Sequence, residues 1–260
     1  MIHESDEHRL EALYDEYFAV IPANSPELLE EAYALRYQVY CLEHAFEDPS
    51  AHSGEREVDE FDKHSVHAVL IFKPTARVVG CVRLVLPTGG RVPASLPIRD
   101  LLSEQFRARL DECPPLKTAE ISRYAVSKMF RRREGETLYP DVGFFDLNAS
   151  DSRRLAPHIS LGLVRAVGKL AFDHGITHVC AAMAPALLRL LGRFGLSFEL
   201  LGPPVEYHGL RQPCLAECER LLTGMSRQNA DYHRLAEAAY HRGQASAVDL
   251  VEDGNGNVIS

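Results

Sequence analysis

The chain has 260 residues, 46% of them hydrophobic and 25% charged, which is the composition of an ordinary globular protein. Its 28 Lys and Arg residues against 37 Asp and Glu give a formal net charge of −9, which argues against nucleic acid or an anionic membrane as a partner bound through bulk charge. No run approaches the roughly 18 apolar residues of a transmembrane helix. The acidic first residues lack the apolar stretch of a signal peptide, so we expect a cytoplasmic protein without integral membrane association.

The cysteines are scattered and form no CxxC pair, so we expect reduced structural thiols at Cys41, Cys81, Cys113, Cys180, Cys214 and Cys218. The closest grouping of metal-binding residue types is Cys41, Glu43 and His44, without a second cluster at ligand spacing. We therefore predict no metal site. Cys41 and His44 alone do not make a nucleophilic pair either, because no third group orients them.

A short apolar run at 17–23 predicts the first strand. Ser25 and Pro26 then have the residue types of a helix N-cap and first helical position, and the helix is predicted to run to about residue 44. Apolar residues spaced by four, three, four and three predict one buried stripe on it, formed by Leu28, Ala32, Leu35, Val39 and Leu42.

The rest of the chain alternates between β-rich runs, helical patterns and two polar loops. In chain order we predict an acidic loop at 45–64, strands at 66–72 and 77–86, a short helix at 101–110, a strand at 118–127, a loop at 128–156, a helix at 160–174, a strand at 176–184, a helix at 186–194, and strands at 196–207 and 215–222.

This order predicts an α+β fold, with one mixed, mostly antiparallel sheet flanked by helices in a single domain. We place that domain at 17–222. An N-terminal extension at 1–16 precedes it, and a C-terminal helical extension and tail at 223–260 follow it.

Charged residues stand where apolar ones are expected, at Arg36, Asp59, Asp62, Arg83, Glu120 and Arg123. Charges within apolar strands must be paired or lie in a wet cleft, because burying a lone charge costs several kcal/mol. One interpretation is an ion-pair network that fixes the first helix and the acidic loop on the sheet. The other is a polar site for a charged small substrate, with Glu120 as general base. The two are compatible.

Glu120 and Arg123 are three residues apart and would face opposite sides of a regular strand. A bulge between them would bring both side chains to one face.

The only basic cluster of this acidic chain is Lys128, Arg131, Arg132 and Arg133. It is either a solvated surface loop or a docking site for an acidic carrier or a phosphate. The chain has no GxSxG, no GxGxxG after a strand and no P-loop, so the common hydrolase and nucleotide-binding templates do not apply.

Five short motifs occur in order over roughly residues 30–210. They are Arg36-x-x-Val39-Tyr40, Asp59-x-x-Asp62, Gly80-x-x-Arg83-Leu84, Glu120-x-Ser122-Arg123-Tyr124, and a helix followed by Gly195 through Gly202-Pro203-Pro204. In this order they resemble the autoinducer (acyl-homoserine lactone) synthase superfamily. The resemblance implies a fold related to the GNAT acyltransferases and acyl transfer from an acyl carrier protein thioester to an amine.

The resemblance also implies roles for residues. Glu120 and Arg123 would be catalytic, with Glu120 helping to deprotonate the amine, and backbone N–H groups at 123–126 would meet the oxyanion. Substrate binding would fall to Arg36, Tyr40, Asp59, Asp62, Arg83, Ser122 and Tyr124. Carrier-protein docking would fall to Lys128, Arg131, Arg132 and Arg133. No cofactor is implied, since acyl carrier protein or coenzyme A enters as part of the donor substrate.

Within the superfamily, the autoinducer synthases usually carry tryptophan near the first helix, and this chain has none. Its text after Tyr40, CLEHAFE, looks more like the N-acyl amino acid synthases and the PEP-CTERM/exosortase-associated acyltransferases. RRREGE stands where a GNAT pyrophosphate loop is expected, which favours a carrier protein over coenzyme A. An S-adenosylmethionine-dependent acyl-homoserine lactone synthase and a non-catalytic acyl- or carrier-binding module are the alternatives.

Overall fold

The computed structural model of the protein describes residues 14–89, 96–128 and 159–230, together with residues 12, 233 and 234. The strands are β1 Phe18–Pro22, β2 Ser65–Phe72, β3 Arg77–Val85, β4 Thr118–Val126, β5 His178–Met183, β6 Glu199–Leu200, β7 Val205–Glu206 and β8 Leu210–Glu217. The α-helices are α1 Pro26–Arg36, α2 Glu104–Asp111, α3 Ile159–Asp173, α4 Pro185–Arg193 and α5 Cys218–Gln228. A π-helix at Tyr37–Glu43 continues α1. Short 3-10 turns lie at Pro49–Ala51, Ser53–Glu55, Glu60–His64, Lys73–Thr75, Pro97–Leu101 and Pro115–Lys117.

The strands form a sheet in the order β1-β2-β3-β4-β5-β8-β6, and β7 also pairs with β8. Every pairing is antiparallel except that of β4 with β5, which is parallel. The predicted α+β fold with a mixed, mostly antiparallel sheet is confirmed. Of the predicted loop at 128–156, only Lys128 is described, and the rest, with Arg131, Arg132 and Arg133, lies outside the described residues.

Helices cover both faces of the sheet. Helix α3 packs over β1 to β4, and its Leu161 and Leu163 belong to the largest apolar cluster. Helix α1 packs on the opposite face, where Ala32 and Leu35 meet Cys81 of β3 and Ala125 of β4. The six cysteines are free, and five of them are buried. The sheet is thus the middle layer of three.

The first helix begins as predicted, with the Ser25 side chain accepting a hydrogen bond from the Leu28 N–H and Pro26 in the first turn. The predicted apolar stripe is wrong at its end, since Leu42 is 62% exposed and Cys41 is buried instead. The π-helix has more residues per turn than the α-helix, so the inward-facing positions move along the sequence after Arg36.

The C-terminal part of the domain differs from the sequence prediction. The predicted strand at 215–222 ends at Glu217, where α5 begins. The predicted domain boundary after residue 222 therefore lies inside a helix, and Met225 of that helix is buried in the main core. Helix α5 packs on β8, so the domain includes it.

Gly195 follows α4 and lies against Gly224 of α5. Its φ of +84° is in the left-handed region, and a Cβ there would overlap the Gly224 carbonyl group. Gly195→Ala is therefore expected to lower the free energy of unfolding by about 1–3 kcal/mol, as overpacking typically does. Urea denaturation measures the change.

Gly192 provides the matched control, because nothing lies within 4 Å of a Cβ built there. Gly192→Ala is expected to be neutral or to stabilise the helix by about 0.5–1 kcal/mol. Equal effects of the two substitutions would show that the Gly195–Gly224 contact is not tight.

Candidate active site

Charged side chains gather on the face of the sheet that α1 covers. Arg83 extends from this face of β3, beside Cys81, and Glu120 and Ser122 extend from the same face of β4. The acidic loop between α1 and β2 runs over them. Helix, loop and two strands therefore deliver polar groups to one place.

A bulge in β4 brings Arg123 to this face as well. Cys81 pairs with Ala125, but Arg83 pairs with Ser122, so β4 contains one extra residue between these pairs. Arg123 has a φ of +49°, a left-handed conformation that is uncommon for a non-glycine residue. The bulge lies at Arg123 and Tyr124, directly after Ser122, and not between Glu120 and Arg123, because residues 120–122 keep a regular register with β3. A strained backbone of this kind is characteristic of functional sites.

Arg36 is completely buried and is neutralised by two carboxylates. Its Nη1 and Nη2 donate to the two oxygens of Asp62 at 2.7 and 3.0 Å, and its Nε donates to Glu57 at 2.6 Å. Such charge-assisted, two-pronged bonds are the strongest that a guanidinium makes. They fasten α1 to the acidic loop.

Arg83 and Arg123 extend the network across the sheet. Arg83 donates to Ser122 at 2.9 Å and to Asp59 at 2.6 Å, and it also reaches Asp62 at 2.9 Å. Arg123 donates twice to Glu57, at 3.0 and 2.8 Å, and once to Asp59 at 3.0 Å. Three guanidinium groups thus bond three carboxylates. This is the ion-pair network that the sequence analysis gave as one of its two interpretations.

Glu57 is the member of this network that the sequence analysis missed. Four acids lie at the end of the loop, Glu57, Asp59, Glu60 and Asp62, and only Asp59 and Asp62 match the motif. Burial alone would raise the pKa of Glu57, but the bonds and charges of Arg123 and Arg36 lower it to about 2. The sequence interpretation counted Glu120 as the third carboxylate of the ion-pair network. In the structure, Glu57 is that third carboxylate.

No guanidinium group of a described residue is bonded to Glu120. One of its carboxyl oxygens accepts the Ile98 N–H at 2.7 Å. Burial raises its pKa to about 8, although the Ile98 N–H and the charges of Arg83 and Arg123 act to lower it. A carboxyl group with such a pKa can exchange a proton near neutral pH, which is the property of a general acid or base.

Glu120 also marks the point where two strands stop pairing. The parallel register of β4 with β5 ends at the Glu120–Cys180 pair, although β4 continues to Val126 and β5 to Met183. Beyond this point, the edge of β4 that faces β5 has no ladder partner among the residues that the structure describes. Backbone groups there can bind a ligand instead.

The other predicted site residues divide into two groups. Tyr40 joins the network through its ring, 5.4 Å from the Arg123 guanidinium, and Ser122 joins it by its bond to Arg83. Tyr124 lies on the opposite face, where its hydroxyl donates to the Ser160 carbonyl oxygen of α3 at 2.6 Å. Its position is that of a core residue.

A loop and a hairpin border the charged cluster on the side away from β2. Phe46 and Glu47 follow the π-helix, and residues 205–211 make the β7–β8 hairpin. His208 and Gly209 both have positive φ, as a tight hairpin turn requires. The His208 Nδ1 lies 2.8 Å from the Phe46 carbonyl oxygen, and the Arg211 guanidinium lies over the Phe46 ring at 5.1 Å. We call Phe46, Glu47 and residues 205–211 the rim.

His67 is a second buried titratable group that the sequence analysis missed. Its Nε2 has no hydrogen bond to any described residue and lies 3.4 Å from Asp62 Oδ1. Burial and the charge of Arg36 lower its pKa to about 4. The folded protein therefore holds it neutral at a pH where an unfolded chain begins to protonate it.

The pKa values of His67 and Glu57 predict a stability that falls in acid. His67 contributes stability above its unfolded pKa of about 6.5, which is lost as the pH falls towards 4. Glu57 contributes above about 4.5 and loses its share as the pH falls towards 2. We expect His67→Gln to flatten the decline between pH 6.5 and 4, by up to about 1.4 kcal/mol per pH unit. Urea denaturation at a series of pH values tests this, and parallel curves would contradict it.

In the described residues no helix combines the length and apolar character that crossing a membrane requires. Within the same ranges, no group of three or more His, Cys, Asp or Glu side chains is arranged to hold a metal ion.

A family profile described as an acetyltransferase (GNAT) domain matches residues 35–140. Among solved structures, the CoA-dependent acyl-homoserine lactone synthase BjaI, solved with SAM and isopentyl-CoA, is 20% identical with a TM-score of 0.57, and the match covers 86% of this chain and 98% of BjaI. TofI, in a ternary complex with an inhibitor and MTA, is 17% identical with a TM-score of 0.56, over 81% of this chain and 96% of TofI.

FeeM, an N-acyl amino acid synthase from uncultured soil microbes, is 13% identical with a TM-score of 0.54, over 81% of this chain and 96% of FeeM. No curated protein sequence matches the chain. At sequence identities this low, the structural similarity establishes the fold alone. The chain has the GNAT-type fold that acyl-homoserine lactone synthases and an N-acyl amino acid synthase also have, and the fold implied by the five motifs is confirmed.

Proposed function

We propose that the protein is an N-acyltransferase, which transfers a fatty acyl group from a thioester to the amine of an amino acid or a similar small acceptor. The observation that carries this proposal is Glu120. It is a buried carboxyl group with a pKa of about 8, at the position where β4 and β5 stop pairing. The GNAT-type fold and the synthases that share it support the same reaction class.

Glu120 serves as the base. An ammonium group must lose a proton before it attacks, and the Glu120 carboxylate accepts that proton. The neutral amine forms a C–N bond with the thioester carbonyl carbon, and the C–S bond breaks. The second N–H proton passes to the thiolate, so that amide and thiol leave and Glu120 returns its proton to solvent. A base whose pKa lies near the working pH is well matched to this task.

Arg123 and the edge of β4 beyond Glu120 are assigned to stabilising the oxyanion of the tetrahedral intermediate. Backbone N–H groups at 123–126 are the candidates for stabilising the tetrahedral intermediate. Arg123 is held by Glu57 and Asp59, so it is in position before the substrate binds. A preformed dipole of this kind acts without reorganisation at the moment of reaction.

The aromatic side chains near the site favour an amino acid over S-adenosylmethionine as acceptor. A sulfonium is bound well by a free aromatic face. Arg123 lies over the Tyr40 ring, and both the His44 ring and Arg211 lie over the Phe46 ring, at 4.9 and 5.1 Å. These two rings are therefore engaged by the protein's own side chains.

The donor is proposed to be an acyl carrier protein, which places the reaction in the cytoplasm. Docking is assigned to Lys128 with Arg131, Arg132 and Arg133, the only basic cluster of the sequence. Lys128 is exposed at the end of β4, and its backbone N–H is bonded to Glu43. The three arginines lie outside the described residues. No cofactor is proposed.

The test is thiol release from purified acyl carrier protein thioesters and from the matching acyl-CoA, with the standard amino acids and S-adenosylmethionine as acceptors. Mass spectrometry identifies the product. We expect an N-acyl amino acid, formed faster from the carrier protein. An acyl-homoserine lactone would favour the alternative synthase, and absence of thiol release with every acceptor would favour a binding module.

A further inference from the structure

Glu47 lies between two basic side chains without a hydrogen bond to either. Its Oε1 is 3.8 Å from Arg123 Nη2 and 3.6 Å from His208 Nε2, and its carboxylate accepts no hydrogen bond from any described residue. Arg123 already has Glu57 and Asp59 as bonded partners. Arg123 therefore does not depend on Glu47 for its neutralisation.

The backbone that carries Glu47 is fixed on both sides. The Phe46 and Glu47 N–H groups donate to the Tyr40 carbonyl oxygen of the π-helix at 2.8 and 3.2 Å. The Phe46 carbonyl oxygen accepts a hydrogen bond from His208 Nδ1 at 2.8 Å, which ties this loop to the β7–β8 hairpin. These bonds fix the backbone that carries Glu47, while its carboxylate accepts no hydrogen bond from a described residue.

The hydroxyl group of Tyr207 shares this environment. Burial raises its pKa, and the charges of Arg123, Glu120, Glu47 and Asp59 all act on it. The hairpin thus places Tyr207 where the charges of both Glu120 and Glu47 act on it. Glu47 itself lies 3.8 Å from Arg123, which follows Glu120 by three residues in β4.

We propose that Glu47 binds the ammonium group of the acceptor and holds its nitrogen for Glu120, an inference that rests on the proposed N-acyltransferase function. Three properties support it. The carboxylate is 24% exposed, so a small molecule reaches it. It has open acceptor positions, and an ammonium offers three donors. Arg123, 3.8 Å from Glu47, is already neutralised by Glu57 and Asp59, so it weakens the attraction of Glu47 for a cation less than a free arginine would.

The test compares wild type, Glu47→Gln and Glu60→Gln with the best acceptor of the thiol-release panel. Glu60 is exposed in the same loop, so its substitution makes the same change of charge away from the rim. We expect the acceptor KM of Glu47→Gln to rise by about 10- to 100-fold, as for a lost charge-assisted bond, with kcat and donor KM nearly unchanged. Glu60→Gln is expected to keep all three values. An unchanged acceptor KM in Glu47→Gln overturns the proposal.

Calorimetry without donor separates this inference from the proposed reaction. Each standard amino acid is titrated into wild type and Glu47→Gln, beside its N-acetyl derivative, which lacks the ammonium group. Binding of a free amino acid to wild type that Glu47→Gln and N-acetylation both abolish supports the role of Glu47, even if no thiol is released. Binding that survives the substitution, or no binding to wild type, overturns it.

Discussion

Replacing Glu120 by Gln is expected to lower kcat/KM by about 10²- to 10⁴-fold, the usual cost of losing a general base. The amide keeps the size of the side chain and removes only its ability to take a proton. In the wild type the base form of Glu120 appears as the pH rises through about 8. The rate should therefore rise to that pH and then level off, whereas the residual rate of the variant should follow only the ionisation of the acceptor amine.

Steady-state thiol release between pH 6 and 10 measures both effects. Glu60→Gln is again the control, because Glu60 is exposed and lies in the acidic loop. Unfolding curves of the variant establish that it folds. If Glu120→Gln keeps the wild-type rate and pH profile, Glu120 is not the base.

Glu57→Ala is expected to cost about 3–5 kcal/mol of stability, as typically follows when one partner of a buried pair is removed. Its carboxylate is 1% exposed and accepts from Arg36 at 2.6 Å and from Arg123 at 2.8 and 3.0 Å. Without it, the buried Arg36 keeps only Asp62, and the acidic loop keeps only the bond of Asp59 to Arg123 of β4. Urea denaturation near pH 7 measures the loss.

The exposed pair between Arg56 and Glu30 provides the comparison. Its atoms are equally close, at 2.7 Å, but the two side chains are 39% and 59% exposed. Glu30→Ala is therefore expected to cost less than about 1 kcal/mol. Similar losses in Glu57→Ala and Glu30→Ala would mean that the buried network contributes little.

The elements predicted best are those with strong local signals. Ser25 caps α1 because its side chain satisfies a free N–H group, and that preference acts within a few residues. The Val- and Ile-rich runs of β2 and β3 form a pair because a short turn joins them. The charged positions Arg36, Arg83 and Arg123 stood out because a charge within an apolar run requires a partner.

Features that depend on distant parts of the chain were not predictable in this way. Glu57 resembles any other acid of its loop until Arg36 and Arg123 are brought to it from 21 and 66 residues away. The rim depends on residues 46 and 208 meeting across the fold. The end of the predicted strand at 215–222 was wrong. The first residues of α5 are too few to show the helical period of apolar residues, so they could not be told from strand residues.

Because Tyr37–Glu43 form a π-helix, the number of residues in this segment determines the direction in which the following residues leave it. Each residue of an α-helix turns the chain by about 100°, and each residue of a π-helix turns it by somewhat less. A deletion or insertion of one residue in this segment would therefore swing Tyr40 away from Arg123 and turn the loop that carries Glu47 out of contact with the hairpin. The exposed turns at Pro49–Ala51 and Ser53–Glu55 have no such coupling. Relatives of this protein should accordingly vary in length after the rim loop, and keep constant the number of residues between Arg36 and Glu47.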